Sequence, residues 1–134
     1  MYGREWIVEA YGCDRGALAD LSKLRRLFDA MVDELRLRPV GEALWRQFPE
    51  PGGITGLLLL AESHLACHTF PEHESLCLNL FCCRPRPEWH FDRYLRREFG
   101  ASRVSVRVID RPYANHRGTE NSEILCGLCD SVVK

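Results

Sequence analysis

Ser63 follows Glu62 directly, His68 stands five positions further on, and Cys83 closes the next apolar run in Phe81-Cys82-Cys83. A hydroxyl beside a peptide carbonyl attacks it when the backbone is strained and the developing oxyanion is stabilised. In Glu62-Ser63-His64-Leu65-Ala66-Cys67-His68-Thr69-Phe70-Pro71-Glu72, that attack would move the acyl group of Glu62 from nitrogen to oxygen and leave an ester. Loss of the Ser63 Cα proton would then eliminate the ester, giving a dehydroalanine that hydrolyses to a pyruvoyl group. The elimination needs a base, and His68 is the nearest histidine beyond the immediate neighbour. Each group also has an ordinary explanation: a turn serine, a hydrogen-bonded strand histidine, and a buried cysteine acting as a small apolar filler. A catalytic thiol at Cys83 needs a hydrogen-bonding or electropositive setting to tune it.

The elements around these residues follow from periodicity. Glu5 to Tyr11 alternates and is rich in β-formers, and Asp14 is placed to cap the helix after it. Leu18, Leu21, Leu24, Phe28, Met31, Val32 and Leu35 recur at three- and four-residue spacing, an amphipathic helix ending before Pro39. Ala43 to Phe48, Ile54 to Ala61, Leu65 to Phe70 and Leu76 to Cys83 read as strands, with turns at Pro49 to Gly53 and Pro71 to Ser75. Glu62-Ser63-His64 falls at a strand-to-strand junction, where strain is plausible. Pro87 opens a helix from Glu88 to Phe99, which Gly100 ends, and Val104 to Val108 alternates as a last strand. Residues 110–134 show no clear period and read as a loosely held tail. The order β-α-β-β-β-β-α-β predicts an α+β two-layer sandwich, a mainly antiparallel sheet with two helices on one face.

Composition bounds the rest. A chain of 134 residues, 46% hydrophobic, is expected to be one domain over 1–134 with a real core. The formal net charge is −1 and no basic block runs long enough to track a phosphate backbone, so no nucleic-acid partner is expected. The longest apolar run, Ile54 to Ala61, is too short to span a bilayer, so no membrane partner is expected either. No charged-then-apolar leader opens the chain, and the seven cysteines read as reduced thiols of a cytoplasmic protein. The only lysines are Lys23 and Lys134, which leaves a lysine Schiff-base enzyme almost without a nucleophile.

Glu-Ser-His-Leu, then His-Thr-Phe-Pro-Glu, then Phe-x-Cys at this spacing resembles the small prokaryotic S-adenosylmethionine decarboxylase proenzymes, as does Tyr11-Gly12-Cys13-Asp14 before a helix. The resemblance runs from about residue 6 to residue 109 and is strongest over 54–83. It implies cleavage between Glu62 and Ser63, with Ser63 becoming a pyruvoyl cofactor whose carbonyl takes the substrate amine as a Schiff base. By the same resemblance His68 serves processing, Thr55 stands where a serine usually assists it, and Cys83 reprotonates the product carbon. Phe48 and Phe70 would hold the adenine of S-adenosylmethionine and Glu72 its ribose. The product would feed spermidine and other polyamines, and the processed two-chain protomers would form a homodimer.

Some positions depart from that family's pattern. Asn79 replaces an aspartate, His73-Glu74 an aromatic-glycine pair, and Arg84 a glycine. These changes bear on the substrate more than on the cofactor, so decarboxylation of ornithine or arginine by the same cofactor stays open. So does a non-processing homologue with a binding or regulatory role. Cys126-Gly127-Leu128-Cys129 is half of a zinc-type pair, with Cys67, Cys77, Cys82, His64, His68 and His73 elsewhere in the chain. Without a second pair no metal site is expected.

Overall fold

The computed structural model describes residues 2–114. Its strands are β1 (Tyr2–Tyr11), β2 (Leu44–Gln47), β3 (Ile54–Leu60), β4 (Ser63–Phe70), β5 (Ser75–Cys82) and β6 (Arg103–Pro112), and its helices α1 (Arg15–Leu18), α2 (Leu21–Glu34) and α3 (Phe91–Phe99). The strands form one sheet in the order β2-β3-β4-β5-β1-β6, antiparallel throughout. Consecutive β2 to β5 pair with their neighbours through short turns, and β1 enters between β5 and β6.

Strand alternation sorts the sheet into two chemically different faces. Trp6 and Val8 of β1, Leu65 and Cys67 of β4, and Leu76, Leu78 and Leu80 of β5 share a core with Leu24, Leu27, Phe28 and Met31 of α2 and Leu95 and Phe99 of α3. The opposite face, carrying Leu57, Leu59, His64, His68, Phe70, Asn79 and Phe81, has no helix over it among the described residues; Leu57 and Leu59 are 46% and 58% exposed. No helix among the described residues is long and apolar enough to cross a membrane.

The expected α+β sandwich and strand order are present, with four local differences. The first helix is broken: Asp14 precedes only the single turn α1 without a side-chain cap bond, and Asp20 caps α2 by accepting from the Ser22 amide at 3.0 Å. The last helix starts at Phe91 and not at Glu88. Trp89 Nε1 donates to Glu34 Oε1 at 2.7 Å and its ring packs on Phe91 and Tyr94, which fixes the preceding segment against α2. The last strand continues to Pro112, beyond the expected start of the tail, because Asp110 and Pro112 still pair with Arg4 and Tyr2. Ser63 belongs to β4 itself, paired with Leu60 of β3, so only Ala61 and Glu62 form the turn. Cys126 and Cys129 lie outside the described residues.

Two packing details hold the sheet edge in shape. A Cβ on Gly56 would sit 2.3 Å from the Trp45 ring, and that ring packs on Phe28 of α2 at 4.7 Å between centroids. Glycine in β3 therefore lets Trp45 fold across its partner strand and tie β2 to the helix layer. Glu74 closes the turn before β5 in the left-handed region, φ 54° and ψ 37°, where its carbonyl accepts from the Cys13 amide and its carboxylate meets Arg15.

Candidate active site

The sequence-predicted residues divide between the two ends of the sheet. At one end, β3 and β4 pair Thr55 with His68, and Thr55 Oγ1 lies 3.1 Å from His68 Nδ1. That bond orients the imidazole and leaves Nε2 as the nitrogen available for proton transfer. Phe48, Thr55, His68, Phe70 and Glu72 line one cleft of about 200 Å³, together with Pro49, Pro51, Gly53 and Thr69. Phe48 and Phe70 are 46% and 38% exposed, so both rings present apolar surface to an occupant. The Arg46 guanidinium stands 5.0 Å from the Phe48 ring centroid, which shows that this ring already receives a cation.

Thr69 builds this cleft from behind, and sequence reasoning passed over it. It is the buried polar residue of the described core, 4% exposed. Its hydroxyl accepts from the Ile54 amide at 2.8 Å and donates to the Leu18 carbonyl at 2.8 Å, locking β3, β4 and α1 together. The only advance signal was a threonine between two exposed strand positions.

At the other end, Ser63 opens β4 directly opposite Cys82 of β5. Ser63 has the same strand parity as Leu65 and Cys67, so its side chain starts on the helix face, as does that of the fully buried Cys82. Burial pushes the Cys82 thiol above its ordinary range, against the opposing pull of Ser63 and Arg86. Cys82 is thus a neutral thiol directly across the strands from Ser63 at physiological pH. Cys83 follows immediately beyond β5, half-buried, with its carbonyl accepting from the Tyr113 hydroxyl at 3.3 Å. Ser63 and Cys83 therefore share one end of the sheet.

Ser63 and His68 do not meet within one chain. Five residues of extended strand separate them by about 17 Å, and the odd spacing puts their side chains on opposite faces. The expected backbone strain is also not of the left-handed kind, because the non-glycine residues at positive φ among those described are Arg36 and Glu74.

Between the two ends runs a polar line across the open face. Asn79 Nδ2 donates to Glu5 Oε2 at 2.7 Å, and Asn79 Oδ1 lies 3.1 Å from His64 Nε2. Glu5 is also paired with Arg111, whose guanidinium lies 5.5 Å from the Phe81 ring centroid. An amide at position 79 can donate to the carboxylate and accept from the imidazole at once, which a carboxylate there could not do. Among the described residues no group of three or more histidine, cysteine or acidic side chains is arranged to hold a metal ion.

The family model described as S-adenosylmethionine decarboxylase matches residues 4–112. A curated relative from Moorella thermoacetica, an S-adenosylmethionine decarboxylase proenzyme, is 33% identical over 110 residues, covering 81% of this chain and 86% of its own. A proenzyme of the same name from Archaeoglobus fulgidus is 38% identical over 81 residues, 60% of this chain and 70% of its own. That from Pyrococcus furiosus is 31% identical over 127 residues, 92% of this chain and 88% of its own. The crystal structure of the adenosylmethionine decarboxylase from Aquifex aeolicus superposes with a TM-score of 0.72 at 24% identity, covering 88% of this chain and 97% of that one, and so shares the fold. With most of its length matched by the family model and by full-length relatives, the chain belongs to the S-adenosylmethionine decarboxylase family.

Proposed function

We propose that this chain is a self-processing, pyruvoyl-dependent decarboxylase of S-adenosylmethionine, acting in the cytoplasm in polyamine synthesis. The observation that carries the proposal is the cleft in which Phe48, Thr55, His68, Phe70 and Glu72 converge from three separate segments of the sequence. Two aromatic faces suit a purine and a sulfonium, and Glu72 offers a carboxylate to ribose hydroxyls. Ornithine and arginine bring a cation that these groups could attract, but no purine to fill the space between the two rings and no ribose diol for Glu72.

Cleavage between Glu62 and Ser63 would give fragments 1–62 and 63–134, held together because β3 and β4 pair across the cut. The pyruvoyl carbonyl formed at position 63 supplies the electron sink for loss of carbon dioxide. The chain's own residues do the rest: the cleft binds and orients the nucleoside, and Cys83, next to the serine's cross-strand partner, returns a proton to the product carbon.

The separation of Ser63 from His68 supports a homodimer. Two copies stacked by their open faces about a two-fold axis crossing the strands would bring the β3–β4 turn of each to the cleft of the other, with the Ser63 side chain itself starting from the helix face at the end of β4. The open face has the surface for it, with Leu44, Leu57 and Leu59 at 70%, 46% and 58% exposure. Carbon dioxide release from S-adenosylmethionine, ornithine and arginine, assayed side by side, tests the substrate. Release from S-adenosylmethionine is expected; release only from a basic amino acid would refute the assignment.

A further inference from the structure

The proposed processing creates an anion that the intact chain does not carry. When the ester between Glu62 and Ser63 eliminates, a general base takes the residue 63 Cα proton and the Cβ–Oγ bond breaks. The bonding pair leaves with Oγ, which becomes one of the two oxygens of a new α-carboxylate on Glu62, and residue 63 remains as dehydroalanine. The leaving group is therefore a carboxylate born in the β3–β4 turn.

That turn is ringed by cations. A narrow cleft is lined by Arg38, Arg84 and Arg86 together with Leu60, Glu62 and Ser63. Arg84 Nε lies 3.4 Å from Glu62 Oε1, so it is already beside the residue that will bear the charge. Arg38 is fixed at the turn by its backbone, its carbonyl accepting from the Ala61 amide at 2.9 Å. Arg86 approaches the Cys82 thiol, and its Nε is buried with no hydrogen-bond partner. Glu62 is the one acidic residue lining the cleft, against three arginines, of which Arg84 contacts its carboxylate. A desolvated guanidinium nitrogen left unpaired is costly and points to an anion that arrives later.

We infer that Arg84 and Arg86, with Arg38 beside them, stabilise the departing Glu62 α-carboxylate during the elimination and hold it in the cleft afterwards. The inference rests on the proposed processing and assigns its second step to residues outside the serine, histidine and cysteine set. The acyl shift forms no carboxylate and does not need them; the elimination does. Once bound between the arginines, the new chain end is also kept from re-attacking the carbon it left.

Hydroxylamine separates the two steps, because it cuts the ester and releases a fragment with a free Ser63 amino group, whereas elimination yields a fragment blocked at its start. Time courses of intact mass, with and without hydroxylamine, are to be taken on the wild type, Arg84→Gly, Arg84→Lys and Arg86→Met. In Arg84→Gly and Arg86→Met the hydroxylamine-released fragment is expected to accumulate, and the blocked fragment to form about tenfold more slowly or worse. Arg84→Lys, which keeps the charge, should recover most of the rate. Arg84 is exposed, so its variants decide the matter should Arg86→Met fail to fold. Equal rates of blocked-fragment formation in all four proteins, with no ester build-up, would overturn the inference while leaving the processing intact. A wild type that stays full length would overturn both.

Discussion

Ser63 and His68 occupy the same strand, five residues apart and on opposite faces, with Ser63 across from Cys82 and His68 bonded to Thr55. The proposed nucleophile and its nearest candidate base thus have separate neighbours, at opposite ends of one sheet. A single copy separates them by about 17 Å, and the proposed homodimer would share its sites between copies.

That arrangement predicts complementation. Ser63→Ala and His68→Ala chains, each made alone, should remain full length. In the proposed homodimer, co-production would give mixed dimers that pair the intact Ser63 end of one chain with the intact His68 cleft of the other, and a fraction of the His68→Ala chains should be cut. Denaturing gels read this directly; no cleavage in the mixture would contradict sites shared between copies.

Cys83→Ala should leave the cut between Glu62 and Ser63 largely unchanged and lower turnover by about a hundredfold or more, the usual loss for a missing proton donor. Fragment ratios and carbon dioxide release, measured on one preparation, separate the two effects. Unchanged turnover would remove the thiol from the chemistry.

Asn79→Asp places a second carboxylate where an amide now donates to Glu5 at 2.7 Å. Like charges so close raise the proton affinity of the introduced carboxyl in the folded protein above its unfolded value. Its protonated form is then compatible with the fold, so the variant approaches wild-type stability at low pH and loses it as pH rises through the raised value. The melting temperature should therefore drop more at pH 8 than at pH 5. An equal drop at both would show that charge at this site does not matter.

Thr69→Val keeps the shape of the side chain but leaves the Ile54 amide and the Leu18 carbonyl without their buried partner. A loss of about 1–3 kcal/mol in denaturant unfolding is expected. Because these bonds set the back wall of the cleft, KM for the substrate should rise as well. A neutral substitution would mean that water replaces the hydroxyl.

The sheet was legible because its strands alternate strictly and are punctuated by Pro49 to Gly53 and Pro71 to Ser75. The amphipathic helix was legible in outline, but not its break at Asp20, since a cap inside a continuous leucine pattern has no periodic signature. Trp89, which delays α3 to Phe91, acts through a contact with Glu34 that lies 55 positions away. The site residues could be named from the resemblance, yet their division between two ends of one sheet could not. Odd spacing puts two residues on opposite faces only when both belong to one strand, and the sequence pattern began that strand at Leu65. Ser63 belongs to β4 and not to the turn, and that one position sets its parity against His68.

Conversion of Ser63 into the cofactor is tested most directly by intact mass spectrometry of the purified protein alongside Ser63→Ala. Two fragments, 1–62 and a larger one blocked at its start, are expected from the wild type, and a single full-length species from the variant. A wild type that persists as one species of full mass after long incubation would contradict self-processing and turn the chain into a non-processing member of its family.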